Sequence, residues 1–395
     1  MQLGITLREA PARPVTVAVR LELGDRLLAE HRVLVDAQRT STSVAVPALL
    51  NGQGRQTLLW SPEEPRLVDA TVRVLDGERV LDEVTSYLGL RSAGVGDRAF
   101  LLNGFPYHVR SVLAQGYWPT SHLAAPDAAA LRREVELVRE LGFNAVRVHQ
   151  KVEDPRFLHW ADRLGVLVWG ETANAFAFTP DAVRMLTTEW LDVVHRDISH
   201  PSIVTWVPLN ESWGVQDIAV DPAQQAYATG LAALTRAVDP SRPVISNDGW
   251  EHTDSDLWTV HDYADTGAAL TARYGSAEVF DRLGGFGPAG RRLRLAGGAE
   301  RGQPLMLTEF GGVKYTPGQS GGGTWGYSTA TSADDFDRRL ADLLAAVHAS
   351  PVLAGFCYTQ LTDTLQEANG LLDADRNPKL PIERLREIIT GPPRL

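Results

Sequence analysis

The stretch IVTWVPLNES, residues 203–212, joins a continuous apolar run to a pair of polar residues. The run is rich in β-branched and aromatic side chains, which is typical of a strand buried on both faces of a parallel sheet. It ends at Asn210 and Glu211. A carboxylate that loses its hydration there raises the free energy of the fold unless a partner or a ligand compensates. The stretch therefore predicts a buried strand whose end carries a functional group.

Runs of this kind recur along most of the chain, with amphipathic stretches between them. The predicted strands are 108–115, 143–150, 166–172, 203–212, 243–249, 257–263, 304–312 and 355–363. The predicted helices are 126–142, 153–165, 180–199, 221–238, 266–283, 333–349 and 381–389. Eight buried strands that alternate with helices predict a (β/α)8 barrel, although no convincing helix follows 243–249. The glycine-rich stretch 318–326 is predicted to be a mobile loop.

The first 92 residues have a different pattern. Short alternating runs rich in Val, Leu and Thr are separated by turn residues such as Gly, Asp and Asn. These runs are 15–23, 32–37, 56–60 and 67–75. Short alternating strands with turns between them predict an antiparallel β-sandwich. The sequence thus predicts two domains, a β-sandwich at 1–92 and a barrel at 93–395.

Composition excludes several classes of function. The net charge of −11 over 395 residues argues against nucleic acid as a partner, because a phosphate backbone binds to basic surfaces. The single cysteine, Cys357, excludes an internal disulfide framework and a cysteine-based metal site. No apolar run is long enough to span a membrane, and no signal peptide is visible at the N-terminus. We therefore expect a cytoplasmic protein without a membrane partner.

In a barrel of this type, functional side chains collect where the strands end. The polar residues at the predicted strand ends include Arg147, His149, Glu171, Asn210, Glu211, Asp248, His261, Tyr263 and Glu309. Glu211 ends the fourth strand and Glu309 the seventh, so the two carboxylates can approach a common centre. Cleavage of a glycosidic bond requires such a pair. Tryptophans near the same mouth can stack on sugar rings, and they are Trp118, Trp169, Trp250 and Trp325.

Several segments resemble glycoside hydrolase family 2, the family of β-galactosidases, β-glucuronidases and β-mannosidases. They are VPLNESWG (207–214), LMLTEFGG (305–312), NAVRVHQ (144–150), SHPSIVTW (199–206) and the segment 58–92. The resemblance implies that 1–92 is an immunoglobulin-like β-sandwich and that the barrel is catalytic. Family members usually begin with a jelly-roll sugar-binding domain, for which this chain has no room. We therefore expect either a fragment or a shortened form.

The resemblance also implies roles for individual residues. Glu211 would be the general acid/base, and Glu309 the nucleophile that forms a covalent glycosyl-enzyme. Asn210 would hydrogen-bond the sugar 2-hydroxyl, while Arg147 and Tyr263 would hold the nucleophile ionised and oriented. The remaining residues assigned to the sugar site are His261, Trp250, Trp325 and Asp248.

Elementary electrostatics supports this division between the two carboxyls. A guanidinium beside Glu309 favours its ionised form and lowers its pKa. Glu211 follows an apolar run and has Trp206 and Trp213 nearby in sequence, so it is the carboxyl expected to stay protonated, as an acid must.

We therefore predict a retaining exo-β-glycosidase that acts on a small carbohydrate in the manner of a β-galactosidase. A β-glucuronidase, a transglycosylase and a non-catalytic carbohydrate-binding protein are the alternatives. Glucuronidases of the family carry an Asn-x-Lys motif after the eighth strand. Here Glu367 and Asn369 precede GLLD without a lysine, and Lys379 comes only later, which favours a neutral sugar. No cofactor or metal site is expected, although loosely bound Mg²⁺ or Na⁺ and self-association of the chain are left open.

Overall fold

A computed structural model describes residues 1–50, 52–295, 298, 300–316 and 323–392. The chain divides into two compact units, one formed by Met1–Arg91 with Ser199–Pro201 and the other by Ser92–Ile198 with Ser202–Leu395. Within the predicted mobile loop 318–326, residues 318–322 lie outside the described residues. None of the described helices is long and apolar enough to cross a lipid bilayer.

The first unit is built from antiparallel strands. They are β1 (Gln2–Thr6), β2 (Val15–Leu23), β3 (Arg26–Val35), β4 (Arg39–Ser43), β5 (Val68–Asp76) and β6 (Arg79–Leu88). One sheet has the order β3-β2-β5-β6, and β1 pairs separately with β4. Alternate residues of β2, among them Val17 and Val19, are buried in the core of the unit. The period of two predicted for this strand therefore separates a buried face from an exposed one.

The sequence prediction for this unit was incomplete. It missed β1, β4 and β6, whose residues are mostly polar or exposed and so give no buried apolar pattern. The stretch 56–60 was wrongly predicted as a strand, since Arg55–Leu58 forms a single 3₁₀ turn.

The second unit begins with a small antiparallel sheet and continues with alternating parallel strands and helices. The antiparallel strands are β7 (Ala93–Gly96), β8 (Ala99–Leu102) and β9 (Phe105–Pro106). The parallel strands are β10 (Val109–Ala114), β11 (Ala145–Val148), β12 (Leu167–Glu171), β13 (Ile203–Val207), β14 (Trp258–His261), β15 (Leu305–Gly311) and β18 (Leu353–Thr359). A short ladder after β15 joins β16 (Val313–Lys314) to β17 (Ser328–Thr329). The parallel sheet has the order β13-β12-β11-β10-β18-β15-β14.

Helices cover the outside of these strands. They are α1 (Ala128–Glu140), α2 (Pro155–Leu164), α3 (Pro180–Asp197), α4 (Pro222–Val238), α5 (Gly267–Tyr274), α6 (Val279–Arg282), α7 (Ala333–Ala349) and α8 (Ile382–Thr390). Several begin with a side-chain cap, as at Asp127, Thr179 and Ser332, whose oxygens accept a backbone N–H of the first turn. The predicted helix 266–283 is two helices, α5 and α6, rather than one. Elsewhere the predicted helices agree with the structure to within a few residues.

The gap between the two edge strands is filled by segment 243–248. Val244 pairs with Trp206, and Asp248 pairs with Asn210, each in a parallel bridge. On the other side, the Asp256 backbone N–H donates to the Val244 carbonyl at 2.9 Å. The predicted strand 243–249 is thus reduced to isolated bridges, because side chains replace part of the backbone ladder. The fold is the predicted (β/α)8 barrel preceded by a β-sandwich.

Close packing between strands predicts a marked effect of one glycine substitution. A Cβ atom added to Gly355 in β18 would lie 2.6 Å from the Val109 carbonyl oxygen of β10, and backbone cannot move aside easily. We expect Gly355→Ala to lower the free energy of unfolding by about 1–3 kcal/mol. Gly230, exposed in α4 with no atom near its would-be Cβ, is the matched control.

Gly230→Ala should raise the free energy of unfolding by about 0.5–1 kcal/mol, because alanine has the higher helix propensity. Urea unfolding followed by tryptophan fluorescence measures both variants. Equal midpoints for the two variants would contradict the packing inferred between β10 and β18.

Candidate active site

One buried guanidinium joins the ends of several barrel strands. Arg147 on β11 is fully buried. Its Nη1 donates to Oε1 of Glu309 at 2.8 Å and lies 3.0 Å from Oδ2 of Asp248, while its Nη2 donates to Oδ1 of Asn210 at 2.6 Å. Its Nε donates to the Glu171 carboxylate. Arg147 thus contacts three carboxylates and one amide, each contributed by a different strand or strand segment.

The buried charges around Arg147 are unevenly stabilised. Burial raises the pKa of Glu171 to about 7, although the charge of Arg147 opposes the change. Burial acts in the same direction on Asp248, but there the charges of Arg147 and His261 prevail and hold its pKa well below the usual range. Asp248 is therefore the fixed anion of the cluster, while Glu171 is the carboxyl most easily protonated.

Both oxygens of Glu309 accept a hydrogen bond. Oε1 accepts from Arg147, and Oε2 accepts from the Tyr263 hydroxyl at 2.5 Å. Burial alone would raise the pKa of Glu309, but the positive charges of His261 and Arg147 outweigh burial and lower it. The Tyr263 ring is itself fixed by stacking on Tyr327, with ring centroids 3.3 Å apart. Glu309 consequently has a lowered pKa and a defined orientation.

Glu211 lies on a strained turn just after β13. Its φ is +48° and that of Ser212 is +57°, a region that costs non-glycine residues about 1–3 kcal/mol each. Three hydrogen bonds hold the turn. The Glu211 N–H donates to the Asp248 carbonyl at 3.1 Å, the Ser212 N–H to the Asn247 side chain at 2.9 Å, and the Ser212 hydroxyl to Glu251 at 2.7 Å. Segment 247–251 thus stabilises the positive φ angles of Glu211 and Ser212, which these residues would not adopt without such partners.

His261 lies between the two predicted catalytic carboxylates. Its Nδ1 is 2.7 Å from Oε1 of Glu211 and 3.4 Å from Oε2 of Glu309, and its Nε2 is 3.2 Å from Asp248. Burial would lower the pKa of His261, but the charge of Glu309 and the bonds to Asp248 and Glu211 raise it to about 10. One oxygen of each glutamate and one ring nitrogen all lie within 4.8 Å of one another. This separation agrees with the ~5–5.5 Å between carboxyl groups that retaining chemistry requires.

The same three side chains have the composition of a metal site. Glu211, His261 and Glu309 form the one group of potential metal ligands within the described ranges. A metal ligand must offer a deprotonated ring nitrogen. With a pKa near 10, His261 is an imidazolium at neutral pH, and both of its nitrogens donate to carboxylates. In the structure the three side chains pair with one another, His261 with Glu211 at 2.7 Å and with Glu309 at 3.4 Å.

Seven of the nine predicted site residues lie together in this cluster. They are Arg147, Asn210, Glu211, Asp248, His261, Tyr263 and Glu309. Trp250 lines a cleft that starts at Glu211. Trp325 is 43% exposed and packs edge-on against Tyr327, which in turn stacks on Tyr263.

The predicted surroundings of Glu211 differ from the observed ones. Trp206 is fully buried, donates to Asp239 and packs edge-on against Trp190. Trp213 is half-exposed, and its ring lies 6.2 Å from that of Phe176. The contact that dominates at Glu211 is instead the hydrogen bond to His261. A strand's alternation sends neighbouring side chains to opposite faces, so proximity in sequence was a poor guide here.

Sequence reasoning missed three residues that support the site, Tyr327, Ser212 and Glu251. Tyr327, which fixes Tyr263, lies in a loop after β16 and has no strand-end position to mark it. Ser212 and Glu251 support the strained turn, and only the structure reveals that turn. Glu171 was found by its place at a strand end, but its partner Arg147 was not predictable from spacing.

Fold and geometry together define a class of protein, a (β/α)8 barrel with paired carboxylates at the ends of two strands. Comparison with protein families gives the specific assignment. Residues 95–332 match the profile of the glycosyl hydrolases family 2 TIM barrel domain, and residues 1–91 match glycosyl hydrolases family 2. The chain belongs to glycosyl hydrolase family 2.

Curated relatives carry two different names. A putative β-glucuronidase of Formosa agariphila is 30% identical over 217 residues, which is 53% of this chain and 20% of that protein. A β-galactosidase of Pectobacterium atrosepticum is 29% identical over 270 residues, covering 62% of this chain and 26% of that protein. The matches thus span about a fifth to a quarter of these relatives.

Solved structures share the fold at low identity. A GH2 β-galacturonidase from Eisenbergiella tayi bound to galacturonate has a TM-score of 0.72 and 19% identity, covering 98% of this chain and 69% of that one. A β-glucuronidase from Parabacteroides merdae has a TM-score of 0.76 and 16% identity, covering 97% of this chain and 48% of that one. Identity at this level establishes the architecture alone.

The raised pKa of His261 predicts a specific dependence of stability on pH. Because the folded-state pKa of about 10 exceeds the ordinary value of 6.5, the charged histidine stabilises the fold fully below pH 6.5. That contribution is lost as the pH rises toward 10. We expect the difference in unfolding free energy between the wild type and His261→Gln to decline across this window. Urea unfolding at several pH values measures it, and a difference independent of pH would contradict the imidazolium assignment.

Proposed function

We propose that the chain is a retaining exo-β-glycosidase that cleaves a terminal β-linked sugar through a covalent glycosyl-enzyme. The short distance between Glu211 and Glu309 carries the proposal, since one oxygen of each carboxyl lies within 4.8 Å of one oxygen of the other. The two carboxyls also differ in the way the reaction requires. Glu309 is buried and held by Arg147 and Tyr263, whereas Glu211 contacts His261 and keeps 21% of its side chain exposed toward the cleft.

In the first step, a Glu309 oxygen attacks the anomeric carbon while Glu211 gives a proton to the glycosidic oxygen. The bond between that carbon and oxygen breaks, and the leaving group departs as an alcohol. In the second step, water attacks the same carbon, its proton passes to Glu211, and the bond to Glu309 breaks. Arg147 and Tyr263 keep Glu309 ionised in the free enzyme and accept it back at the end of the cycle.

His261 and Glu211 act as a pair in this scheme. Their 2.7 Å hydrogen bond links an acidic proton on the imidazolium to the carboxyl that must deliver one. A proton shared within this pair supplies the glycosidic oxygen in the first step and is regained from water in the second. Asp248, bonded to the other ring nitrogen, fixes the orientation of the ring.

Asn210 has an unused donor that points to a sugar hydroxyl. Its Oδ1 accepts from Arg147, which fixes the amide orientation. Its Nδ2 is buried and has no hydrogen-bond partner within the described part of the chain. A buried N–H without a partner costs about 1–3 kcal/mol, so a ligand hydroxyl that accepts from it would recover that free energy. This supports the 2-hydroxyl contact expected from the family resemblance.

The region after β18 favours a neutral sugar over a uronic acid. The Glu367 carboxylate accepts from Gln115 at 2.9 Å and from Asn369 at 3.3 Å. Position 371, where an Asn-x-Lys motif starting at Asn369 would have lysine, is a fully buried leucine. Lys379 is buried and bonded to Asp363 at 2.7 Å. A uronate would therefore meet a carboxylate here rather than a free cation, so we favour a β-galactoside as substrate.

The names of the relatives keep β-glucuronidase as a second candidate, since both activities are represented among them. A non-catalytic carbohydrate-binding protein is less consistent with the geometry. A binding site has no need for an ionised carboxylate facing a proton donor, and burying such a pair costs stability.

A panel of p-nitrophenyl β-glycosides tests the choice of sugar. We expect release of nitrophenol from the β-galactoside at a rate well above that from the β-glucuronide, because Glu367 repels a uronate. Turnover of the glucuronide alone would contradict the neutral-sugar assignment. Hydrolysis of none of them by folded protein would favour the binding protein.

Glu309→Gln tests the covalent step. We expect kcat to fall by at least about 10⁴-fold, since amide nitrogen and oxygen are poor nucleophiles at this carbon. Glu189→Gln in α3, an exposed position outside the site, is the matched control and should behave as wild type. Incubation of the wild type with a 2-fluoro glycoside should attach one glycosyl group to Glu309, which mass spectrometry would detect. Labelling at another residue, or wild-type rates in Glu309→Gln, would refute the assignment.

A further inference from the structure

We infer that Glu251 is a positioning residue for the proposed acid, Glu211, and that it acts through the neighbouring Ser212. The inference rests on the proposed glycosidase function and adds to it a residue that need not touch the substrate. Three observations carry it: the strained backbone at Glu211 and Ser212, the hydrogen bonds of the Ser212 hydroxyl, and the burial of Glu251.

The backbone conformation of the turn determines where the Glu211 carboxyl lies. Glu211 and Ser212 follow one another with φ angles of +48° and +57°, in the region that non-glycine residues avoid. The Cα–Cβ bond of Glu211 leaves the backbone in a direction fixed by these angles. A turn that relaxed to negative φ would therefore move the carboxyl away from its position 2.7 Å from Nδ1 of His261.

The Ser212 side chain links this turn to the next segment of the barrel. Ser212 is buried, its hydroxyl donates to Oε2 of Glu251 at 2.7 Å, and its Oγ accepts from Nδ2 of Asn247 at 3.0 Å. Asn247 also accepts from the Ser212 N–H at 2.9 Å and donates to the Glu251 carbonyl at 3.2 Å. Of these three side chains, only that of Glu251 is a carboxylate. A hydrogen bond to a charged acceptor is stronger than one between neutral groups, so we assign the main restraint on the turn to Glu251.

The ion pair of Glu251 does not by itself explain why this carboxylate is buried. Nη2 of Arg291 donates to Oε2 of Glu251 at 3.1 Å, but 31% of the Arg291 side chain is exposed, against 3% of that of Glu251. An arginine that keeps this much contact with water needs no buried counter-ion, and the same pair at the surface would lose less hydration. The hydrogen bond from Ser212 supplies a reason for the carboxylate to lie inside.

Loss of Glu251 would affect one of the two catalytic carboxyls selectively. Glu309 is held by Arg147 and Tyr263, whose hydrogen bonds do not involve Glu251. A displaced Glu211 would leave nucleophilic attack in place but would weaken proton transfer, which requires the two heavy atoms to lie about 2.6–3.2 Å apart. A leaving group that is stable as an anion departs with the bonding electron pair and needs no proton, whereas a leaving alcohol needs one.

Two substrates that differ only in the leaving group test the inference. They are the methyl and the 2,4-dinitrophenyl β-glycosides of the sugar that the wild type cleaves fastest. We expect the ratio of kcat/KM for the methyl glycoside to that for the dinitrophenyl glycoside to fall at least about tenfold in Glu251→Ala, because general acid catalysis contributes about 10²–10⁴-fold. Loss of contacts from the Trp250 ring would instead affect the larger dinitrophenyl group more, and so would move the ratio in the opposite direction.

Ser212→Ala removes the same hydrogen bond from its other end. It should lower the ratio as Glu251→Ala does, and the double variant should lower it no further than the larger single effect, because both substitutions break one link. Glu251→Gln keeps an oxygen that can accept from Ser212, so it should retain more of the ratio than Glu251→Ala. Glu134→Ala is the matched control, since Glu134 on α1 is similarly buried and pairs with Arg376. It should lower the free energy of unfolding and leave the ratio unchanged.

An unchanged ratio in Glu251→Ala, or an equal loss for both substrates, would overturn the inference, since the role of Glu251 would then be absent or merely structural. Additive effects of Glu251→Ala and Ser212→Ala would overturn the path through Ser212. If Glu251→Ala does not fold, Ser212→Ala and Glu251→Gln give the same comparison. Hydrolysis of neither substrate by the folded wild type would instead refute the proposed function, and the role of Glu251 with it.

Discussion

The site depends on one buried cation. Arg147 lies in the barrel interior, where three carboxyl groups are within hydrogen-bond distance of its guanidinium. They belong to Glu171, Asp248 and Glu309. Removing one partner of a buried ion pair typically costs about 3–5 kcal/mol, because the remaining charge is left uncompensated. Here a single guanidinium contacts three carboxyl groups and orients an amide as well, so the same side chain joins the strand ends and, together with His261, lowers the pKa of Glu309.

This arrangement gives two chemically identical side chains, Glu309 and Glu211, different surroundings. Glu309 shares Arg147 with other anions and accepts a second bond from Tyr263, so its negative charge is stabilised before substrate arrives. Glu211 is bonded instead to His261, whose other ring nitrogen has an anionic partner in Asp248. In the proposed mechanism, environment rather than residue type assigns one carboxyl to nucleophilic attack and the other to proton transfer.

The sequence predicted the parts of the molecule whose position depends on local pattern. Runs such as 203–212 are apolar because they are buried on both faces, and they identified the barrel. The edge strand β6 is exposed along most of its length, so its sequence shows no buried apolar pattern. Its strand conformation depends on pairing with β5. For the site, the strand-end rule located the charged groups. It could not place His261 between two glutamates or bring Tyr327 onto Tyr263, because these contacts depend on strand register and on a loop.

The strained turn at Glu211 links the acid to the cleft beside it. Ser212 donates to Glu251, and Glu251 in turn holds Arg291 over Trp250. One buried carboxylate therefore supports both the backbone that presents the acid and the ring that walls the cleft. A shift of the Trp250 ring would reach Glu211 through this connection. Because a positive φ persists only where surrounding bonds overdetermine it, the position of the Glu211 carboxyl and that of the Trp250 ring depend on the same few contacts.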